Sequence, residues 1–153
     1  MRDRDGQAAF RALFGDERQD YAAALQRHYA QGPVTGWEQS FVSAYAASHP
    51  WEDFAEAWAH YFHIVDALDT ADAFGLRTRP ENDTPELALT TTFDSYRAID
   101  VRVLLGAWVP LTVAVNSLNR SMGQRDLYPF VLSAPVLHKL QYIHDLIHAP
   151  RSA

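Results

Sequence analysis

The stretch SHPWEDFAEAWAHYFHI, residues 48–64, decides the fold because its apolar and polar residues recur at helical spacing. At about 100° per residue, one side of such a helix carries apolar side chains and another carries polar ones. The apolar side is formed by Phe54, Trp58, Tyr61 and Val65. The polar side is formed by Glu52, Glu56, His60 and His63. That polar side is either a solvated stripe, whose carboxylates are favoured near a helix N-terminus, or one wall of a metal site.

Proline and glycine mark the ends of this helix. Pro50 suits the first turn, where a missing backbone N–H costs nothing. Gly75 suits the end, because glycine readily adopts the left-handed conformation that closes helices. We therefore predict one long central helix over about residues 50–74.

Helical spacing also describes the residues before the central helix. Gly15 is expected to end a short first helix, and Asp16 suits the N-cap of a second helix that ends at Gly32. A third helix is predicted over about residues 37–47. Three helices are thus expected before the central one.

After the central helix, the polar residues 77–92 contain two prolines and predict a surface loop. Apolar residues then recur at helical spacing from Val101 onwards, and Ser133 suits the N-cap of a last helix. The sequence contains no internal repeat and no convincing strand. We predict an all-α protein of about six helices that forms a single domain over residues 1–153.

Composition limits the chemistry that is available. The chain has 153 residues, the size of one domain, and its 48% hydrophobic residues exclude disorder as the overall state. It contains no Cys, which excludes a disulfide framework, a thiolate zinc cluster and a cysteine nucleophile. Any metal ion would have to be held by His and carboxylates.

Charge and hydropathy indicate which classes of partner, nucleic acid or membrane, the protein is expected to have. The net charge is −6, whereas a nucleic-acid-binding protein needs a basic face, so no nucleic-acid partner is expected. No early apolar run follows a basic start, so no signal peptide is expected, and no segment reaches the roughly 18 uninterrupted apolar residues of a membrane span. We expect a cytoplasmic protein without a membrane partner.

Three blocks of sequence, in this order, extend over nearly the whole chain. They are FRALFGDERQDYAAALQRHYAQGP, FVSAYAASHPWEDFAEAWAHYFHI and NSLNRSMGQRDLYPFVLSAPVLHKL. Together they resemble a bacterial family of zinc-binding metallopeptidases of the gluzincin type. The resemblance implies peptide or protein substrates and a zinc cofactor. In such proteins an upstream H-E-x-x-H helix supplies two zinc ligands and the general base, and a Glu on a later helix supplies the third ligand.

In some members that Glu lies in an E-x-x-A-E motif, with a Tyr seven residues earlier. This sequence contains the motif at residues 52–56, and Tyr45 lies seven residues before it. The resemblance implies Glu52 as the third zinc ligand, Glu56 as the group that orients a ligating His, and Tyr45 as the contact to the oxyanion. We expect Tyr45, Glu52 and Glu56 to border one concave region, with His49 as a further residue at its edge.

The sequence departs from the family because no H-E-x-x-H is present. None of its seven His is followed by Glu. The cysteine-bearing zinc ribbon that often opens such proteins is also missing, so the chain resembles only the C-terminal part of the family. We expect that the chain alone binds no zinc tightly and hydrolyses peptides negligibly, since it lacks two ligands and the base.

Other histidines provide weaker candidates for metal ligands. His144 and His148 have the spacing of the zinc motif, but Asp145 replaces Glu and the segment favours the end of a core helix. His60, a possible ligand, lies with His63 on the central helix. Residues on one helix cannot surround an ion without ligands from elsewhere.

Three hypotheses therefore remain. The first is a truncated, inactive metallopeptidase homologue that retains the third-ligand helix. The second is an all-α binding or scaffold module that uses the former active-site groove. The third is a metal-dependent hydrolase whose site is completed by another polypeptide or rebuilt from Glu52, Glu56, His60 and His148. The missing helix should also expose apolar surface beside unpaired carboxylates, and a homodimer would cover that surface.

Overall fold

The computed structural model describes residues 2–81, 85–90, 93–128 and 132–149, with side chains from residue 6 onwards. Five α-helices occur in these ranges: α1 Arg2–Phe14, α2 Tyr21–Gln31, α3 Pro50–Ala73, α4 Val101–Ser121 and α5 Ala134–His148. Four short 3-10 helices lie at Trp37–Gln39, Ala46–Ser48, Pro85–Leu87 and Ser95–Arg97. The predicted all-α fold with one long helix is confirmed.

Two short strands were not predicted. β1, Arg77–Thr78, pairs antiparallel with β2, Leu89–Thr90, so that Arg77 lies opposite Thr90. The Thr78 hydroxyl reinforces this pair, because it donates to the Leu87 carbonyl and accepts from the Leu89 amide, each at 2.7 Å. Two residues per strand are too few for an alternating pattern to show in the sequence.

The beginning of α2 differs from the prediction. Asp20, not Asp16, is the N-cap, and its carboxylate accepts the Ala23 amide at 3.0 Å. The Asp16 carboxylate instead accepts the Arg18 amide at 3.0 Å and forms an ion pair with the same residue. Asp side chains stabilise local turns as readily as helix starts, so two Asp four residues apart left the position of the cap open.

The helix predicted over residues 37–47 is wrong. The two 3-10 helices Trp37–Gln39 and Ala46–Ser48 occupy this region instead. Between them, the Ser43 hydroxyl accepts the Ala46 amide at 3.0 Å, which replaces a helical backbone bond by a side-chain bond. The spacing of apolar residues predicted a helix here because it does not record that a Ser side chain can compete with a backbone carbonyl for the same amide.

Ser133 occupies the predicted N-cap position of α5 with extended dihedral angles, but its side chain caps nothing. Its Oγ is buried without a hydrogen-bond partner in the described part of the chain. Pro135 is the second residue of α5 and has no N–H, so one of the two amides that an N-cap oxygen normally accepts is missing.

The chain divides into two compact units. Unit one contains residues 1–61 and 130–153, and unit two contains residues 62–129. In unit one, α1 packs on α5 around a core of Phe14, Ala57, Tyr61, Val136, Leu140 and Ile143. In unit two, α4 packs on both strands and on the 3-10 helix Pro85–Leu87, and the core includes Ile64, Leu68, Leu89, Leu104 and Leu111. The single domain over residues 1–153 stays a prediction.

Helix α4 is long and apolar enough, by length and composition, to cross a membrane. It is also a core helix of unit two, with Leu104, Trp108 and Leu111 among its buried residues. Core helices of soluble proteins have the same length and composition, so this one helix is weak evidence for a membrane span.

Candidate functional site

The first turn of α3 is held in place by His49. Its backbone is extended, and its carbonyl accepts the Asp53 amide at 3.0 Å. The imidazole Nδ1 accepts the Trp51 amide at 3.1 Å, which requires the ring proton on Nε2, and Nε2 lies 3.2 Å from the Gln19 carbonyl. His49 is only 3% exposed. It therefore acts as the helix cap, with both ring nitrogens engaged.

Glu52, the predicted zinc ligand, projects from this first turn towards α2. Its Oε1 accepts a hydrogen bond from the Tyr21 hydroxyl. The Tyr21 ring in turn packs edge-on against the His49 ring, with centroids 5.1 Å apart. The neighbouring Trp51 side chain is 50% exposed. The Glu52 carboxylate is thus hydrogen-bonded to the Tyr21 phenol. The residue before it in the sequence, Trp51, exposes apolar surface.

Tyr45, the predicted oxyanion contact, lies close enough to Glu52 for its ionisation to be affected. Partial burial, a hydrogen bond with Tyr29 and the negative charge of Glu52 raise the pKa of the Tyr45 phenol. The pKa of Tyr21 is also raised, mainly by its hydrogen bond to Glu52. We call Tyr21, Tyr29 and Tyr45 the tyrosine cluster. Within it, Tyr21 is hydrogen-bonded to Glu52, and Tyr29 is hydrogen-bonded to Tyr45.

Glu56 lies one turn after Glu52 and is tied to the segment that carries Tyr45. The Ser43 hydroxyl donates to Glu56 Oε2 at 2.8 Å and also accepts the Ala46 amide. The expectation of unpaired carboxylates on this face is therefore wrong. Glu52 has Tyr21 as its partner and Glu56 has Ser43, because both carboxylates lie within reach of hydroxyl groups from preceding segments.

The other candidate histidines are engaged elsewhere. His60 Nδ1 lies 2.8 Å from the Glu56 carbonyl, a contact within α3. His63 Nδ1 lies 2.7 Å from the Tyr128 hydroxyl, in unit two. His144 is buried with Nδ1 2.9 Å from the Tyr61 hydroxyl, and its ring packs against that of His148 with centroids 4.3 Å apart.

These contacts test whether the chain fits a zinc ion by itself. Within residues 2–81, 85–90, 93–128 and 132–149, no group of three or more His, Asp and Glu could hold a metal ion. A catalytic zinc needs three protein ligands, and Glu52, the predicted ligand, would offer only one carboxylate. The residues described here do not fit zinc without further ligands.

A buried ion pair behind the site was not predicted from the sequence. Asp53, inside the E-x-x-A-E motif, has Oδ2 2.6 Å from Lys139 Nζ, and both side chains are almost fully buried. Lys139 also donates to the Ser40 carbonyl at 2.6 Å and lies 4.3 Å from the centroid of the Phe41 ring. The pair connects the start of α3 to α5 and to the segment before Tyr45.

The Asp53 carboxylate is not fully compensated by its partner. Burial raises the pKa of Asp53 to about 6, although the ion pair with Lys139 acts in the opposite direction. Beyond Lys139, neither carboxylate oxygen has a hydrogen-bond partner in the described ranges. A signal was present in the sequence: Asp53 precedes the buried Ala57 and Tyr61 by four and eight residues, so it lies on the core stripe.

Comparison with known proteins places the chain among longer relatives. It is 48% identical over 139 residues to uncharacterised proteins of Mycobacterium bovis and of two strains of Mycobacterium tuberculosis. The matched region covers 90% of this chain and 38% of each relative, so the chain spans well under half of their length. No solved structure matches the chain.

The family comparison extends over nearly all of the sequence. A profile of the family described as "Putative zinc-binding metallo-peptidase" matches residues 1–146. This range includes α1 to α4, the E-x-x-A-E motif and most of α5. The chain therefore belongs to this zinc-binding metallo-peptidase family.

Proposed function

We propose that this chain supplies the carboxylate ligand of a zinc peptidase site whose histidine ligands and general base it does not contain. The observation that carries the proposal is the placement of Glu52 on the first turn of α3, beside Tyr45. The resemblance assigns these two positions to the third ligand and the oxyanion contact, which supports the proposal.

The surroundings of Glu52 support a ligand role. The Tyr21 hydroxyl holds Oε1, and the cap formed by His49 fixes the helical turn from which the side chain projects. A ligand that is already oriented loses little conformational freedom when it binds. Tyr21 is thus the group in this chain that would orient the carboxylate.

The surroundings of Tyr45 support the oxyanion contact. A Tyr phenol is protonated at neutral pH, and burial together with the nearby Glu52 charge raises the pKa of Tyr45 further, so its hydroxyl can donate a hydrogen bond. A neutral donor held in a fixed position is what a developing oxyanion requires. Glu56, fixed by Ser43, is the proposed partner of a ligating His supplied by another segment.

The proposed substrate is a peptide or protein, and the proposed compartment is the cytoplasm. The acidic net charge of −6 supports the absence of a nucleic-acid partner. No membrane partner is proposed. The half-exposed Trp51 beside Glu52 supports a homodimer, or a second polypeptide, that covers this face.

Zinc titration by calorimetry tests the proposal. The purified chain should show no site tighter than about micromolar, because one carboxylate does not fix the ion. Adding a helical peptide that carries H-E-x-x-H should create a tighter site. Glu52→Gln should then weaken zinc binding by about tenfold or more, whereas Glu38→Gln, at an exposed position, should have no effect.

The peptide alone provides the baseline for these titrations. A single tight zinc site in the chain without the peptide, unaffected by Glu52→Gln, would contradict the proposal. So would a ternary site that Glu38→Gln and Glu52→Gln weaken equally.

A second candidate function is a binding module, and one observation favours it. A cavity of about 250 Å³ in unit one is lined by Arg27, His28 and Ser48, among others. The His28 ring packs edge-on against Tyr45, with centroids 5.8 Å apart, so the cavity lies beside the tyrosine cluster. Peptide binding that needs neither zinc nor Glu52 would favour this function over the first.

A further inference from the structure

Unit two contains a cavity that the proposed zinc site does not use. Its volume is about 650 Å³, and it lies between residues 63–76, α4 and residues 127–128. The lining is mainly apolar and includes Trp108, Leu111 and Val115. Cavities that bind small molecules typically measure roughly 300–1,000 Å³ and are lined in this way.

Two polar side chains on the wall, Thr112 and Asn116, are already hydrogen-bonded within the protein. The Thr112 hydroxyl donates to the Trp108 carbonyl at 2.8 Å. The Asn116 side chain accepts the Leu127 amide at 2.8 Å and donates to the Tyr128 carbonyl at 3.3 Å. These bonds shape the wall, and they leave the two side chains little hydrogen-bonding capacity for a polar ligand.

The charges on the wall disfavour an anion. Asp66 lines the cavity, and its carboxylate accepts the Tyr96 hydroxyl at 3.0 Å. No Lys or Arg occurs among the lining residues that are described. A fatty acid or other carboxylate would therefore meet a negative charge without a compensating positive one.

The aromatic and aliphatic side chains of the cavity wall are the remaining features that could recognise a ligand. The Tyr128 ring packs edge-on against the buried Trp108, with centroids 5.1 Å apart. At the rim, Leu76 and Leu127 are 46% and 64% exposed. An apolar ligand in the cavity would remove part of this surface from water, which favours binding.

We propose that this cavity binds a compact, uncharged, mainly aromatic small molecule. The inference does not depend on the zinc proposal, because every residue that carries it lies in unit two. The volume and the apolar lining define the class of ligand, and the internal hydrogen bonds of Thr112 and Asn116 disfavour recognition through many hydrogen bonds.

The test uses the full chain and the uncharged fluorescent probe N-phenyl-1-naphthylamine. Saturable one-to-one binding is expected, with displacement by naphthalene and not by decanoate. Ala67→Phe places a ring in the cavity and should weaken probe binding by about tenfold or more, whereas Ala12→Phe, on the exposed side of α1, should not change it. Thr112→Val should retain binding.

Circular dichroism establishes that each variant is folded, and Val115→Phe replaces Ala67→Phe if that variant does not fold. Absence of saturable probe binding to the folded wild type would overturn the proposal. Equal affinity in the cavity-filling variant and the Ala12→Phe control would also overturn it. Decanoate competing as well as naphthalene would contradict the proposed exclusion of anions and overturn the assignment to uncharged ligands. Loss of probe binding as the chain self-associates would instead assign the cavity to a second copy.

Discussion

Asp53 is a carboxylate in an environment that disfavours its charged form. Its carboxylate is completely buried, and Lys139 is the charge that compensates it. Removing one member of a buried ion pair leaves the other charge without a partner, which costs more than the pair itself contributes. The contributions of Asp53 and Lys139 to stability therefore depend on each other, and substituting one residue tests the role of the other.

Lys139→Met should strongly destabilise the protein. The substitution leaves Asp53 buried without its cation, and we expect the free energy of unfolding in urea at pH 7 to fall by about 3–5 kcal/mol. The double variant Asp53→Leu with Lys139→Met removes both charges and should recover most of the loss. A single-variant loss below about 1 kcal/mol would contradict the assigned ion pair.

The pH dependence of stability provides a second test of Asp53. Its pKa is about 6 in the folded protein and 3.8 ordinarily, so the folded state binds this proton more readily. The contribution of Asp53 to the free energy of unfolding is then fully present below about pH 4 and is lost as the pH rises through 6. Relative to Asp53→Asn, wild-type stability should decrease over this range, by up to about 1.4 kcal/mol per pH unit. A difference that is constant with pH would refute the raised pKa.

At the scale of elements, α3 begins at an N-cap residue that the spacing of apolar and polar residues in the sequence did not predict. Pro50 and Gly75 marked its approximate ends, since Pro50 is the first residue and Gly75 has a positive φ of 63° just after the last turn. The residue that accepts the first-turn amide is His49, which is not a common N-cap. Its role follows from its burial and from its bond to the Gln19 carbonyl.

His49→Ala should therefore lower the free energy of unfolding by about 2 kcal/mol, because the Trp51 amide loses its acceptor. His49→Asn retains a side-chain acceptor at the cap and should recover at least half of that loss. Chemical denaturation at pH 7 measures both variants. If alanine and asparagine have the same effect, the cap contributes nothing and the loss comes only from packing.

At the scale of the whole molecule, the absence of H-E-x-x-H determines the expected activity. The chain supplies one proposed zinc ligand and no general base, so the purified chain should hydrolyse casein no faster than a chelator-treated sample. A fluorogenic casein assay with added zinc measures this. Chelator-sensitive hydrolysis that Glu52→Gln abolishes would show that these 153 residues form a complete active site.

The sequence by itself determined the helical class, the long central helix and the family. The helical features depend on local information, namely apolar spacing and Pro and Gly at helix ends, and the family depends on three sequence blocks in a fixed order. The Tyr45 and Glu52 candidates came from the same short segment. Their roles in zinc binding and catalysis stay predictions.

Only the tertiary structure decided which partners these residues have. Tyr21 with Glu52, Ser43 with Glu56 and Lys139 with Asp53 pair residues 31, 13 and 86 positions apart. The helical spacing of residues gives no information about partners at such separations in the sequence. Hydrogen bonds and ion pairs depend on packing between segments, and the free energy of burying each polar group selects the partner that compensates it.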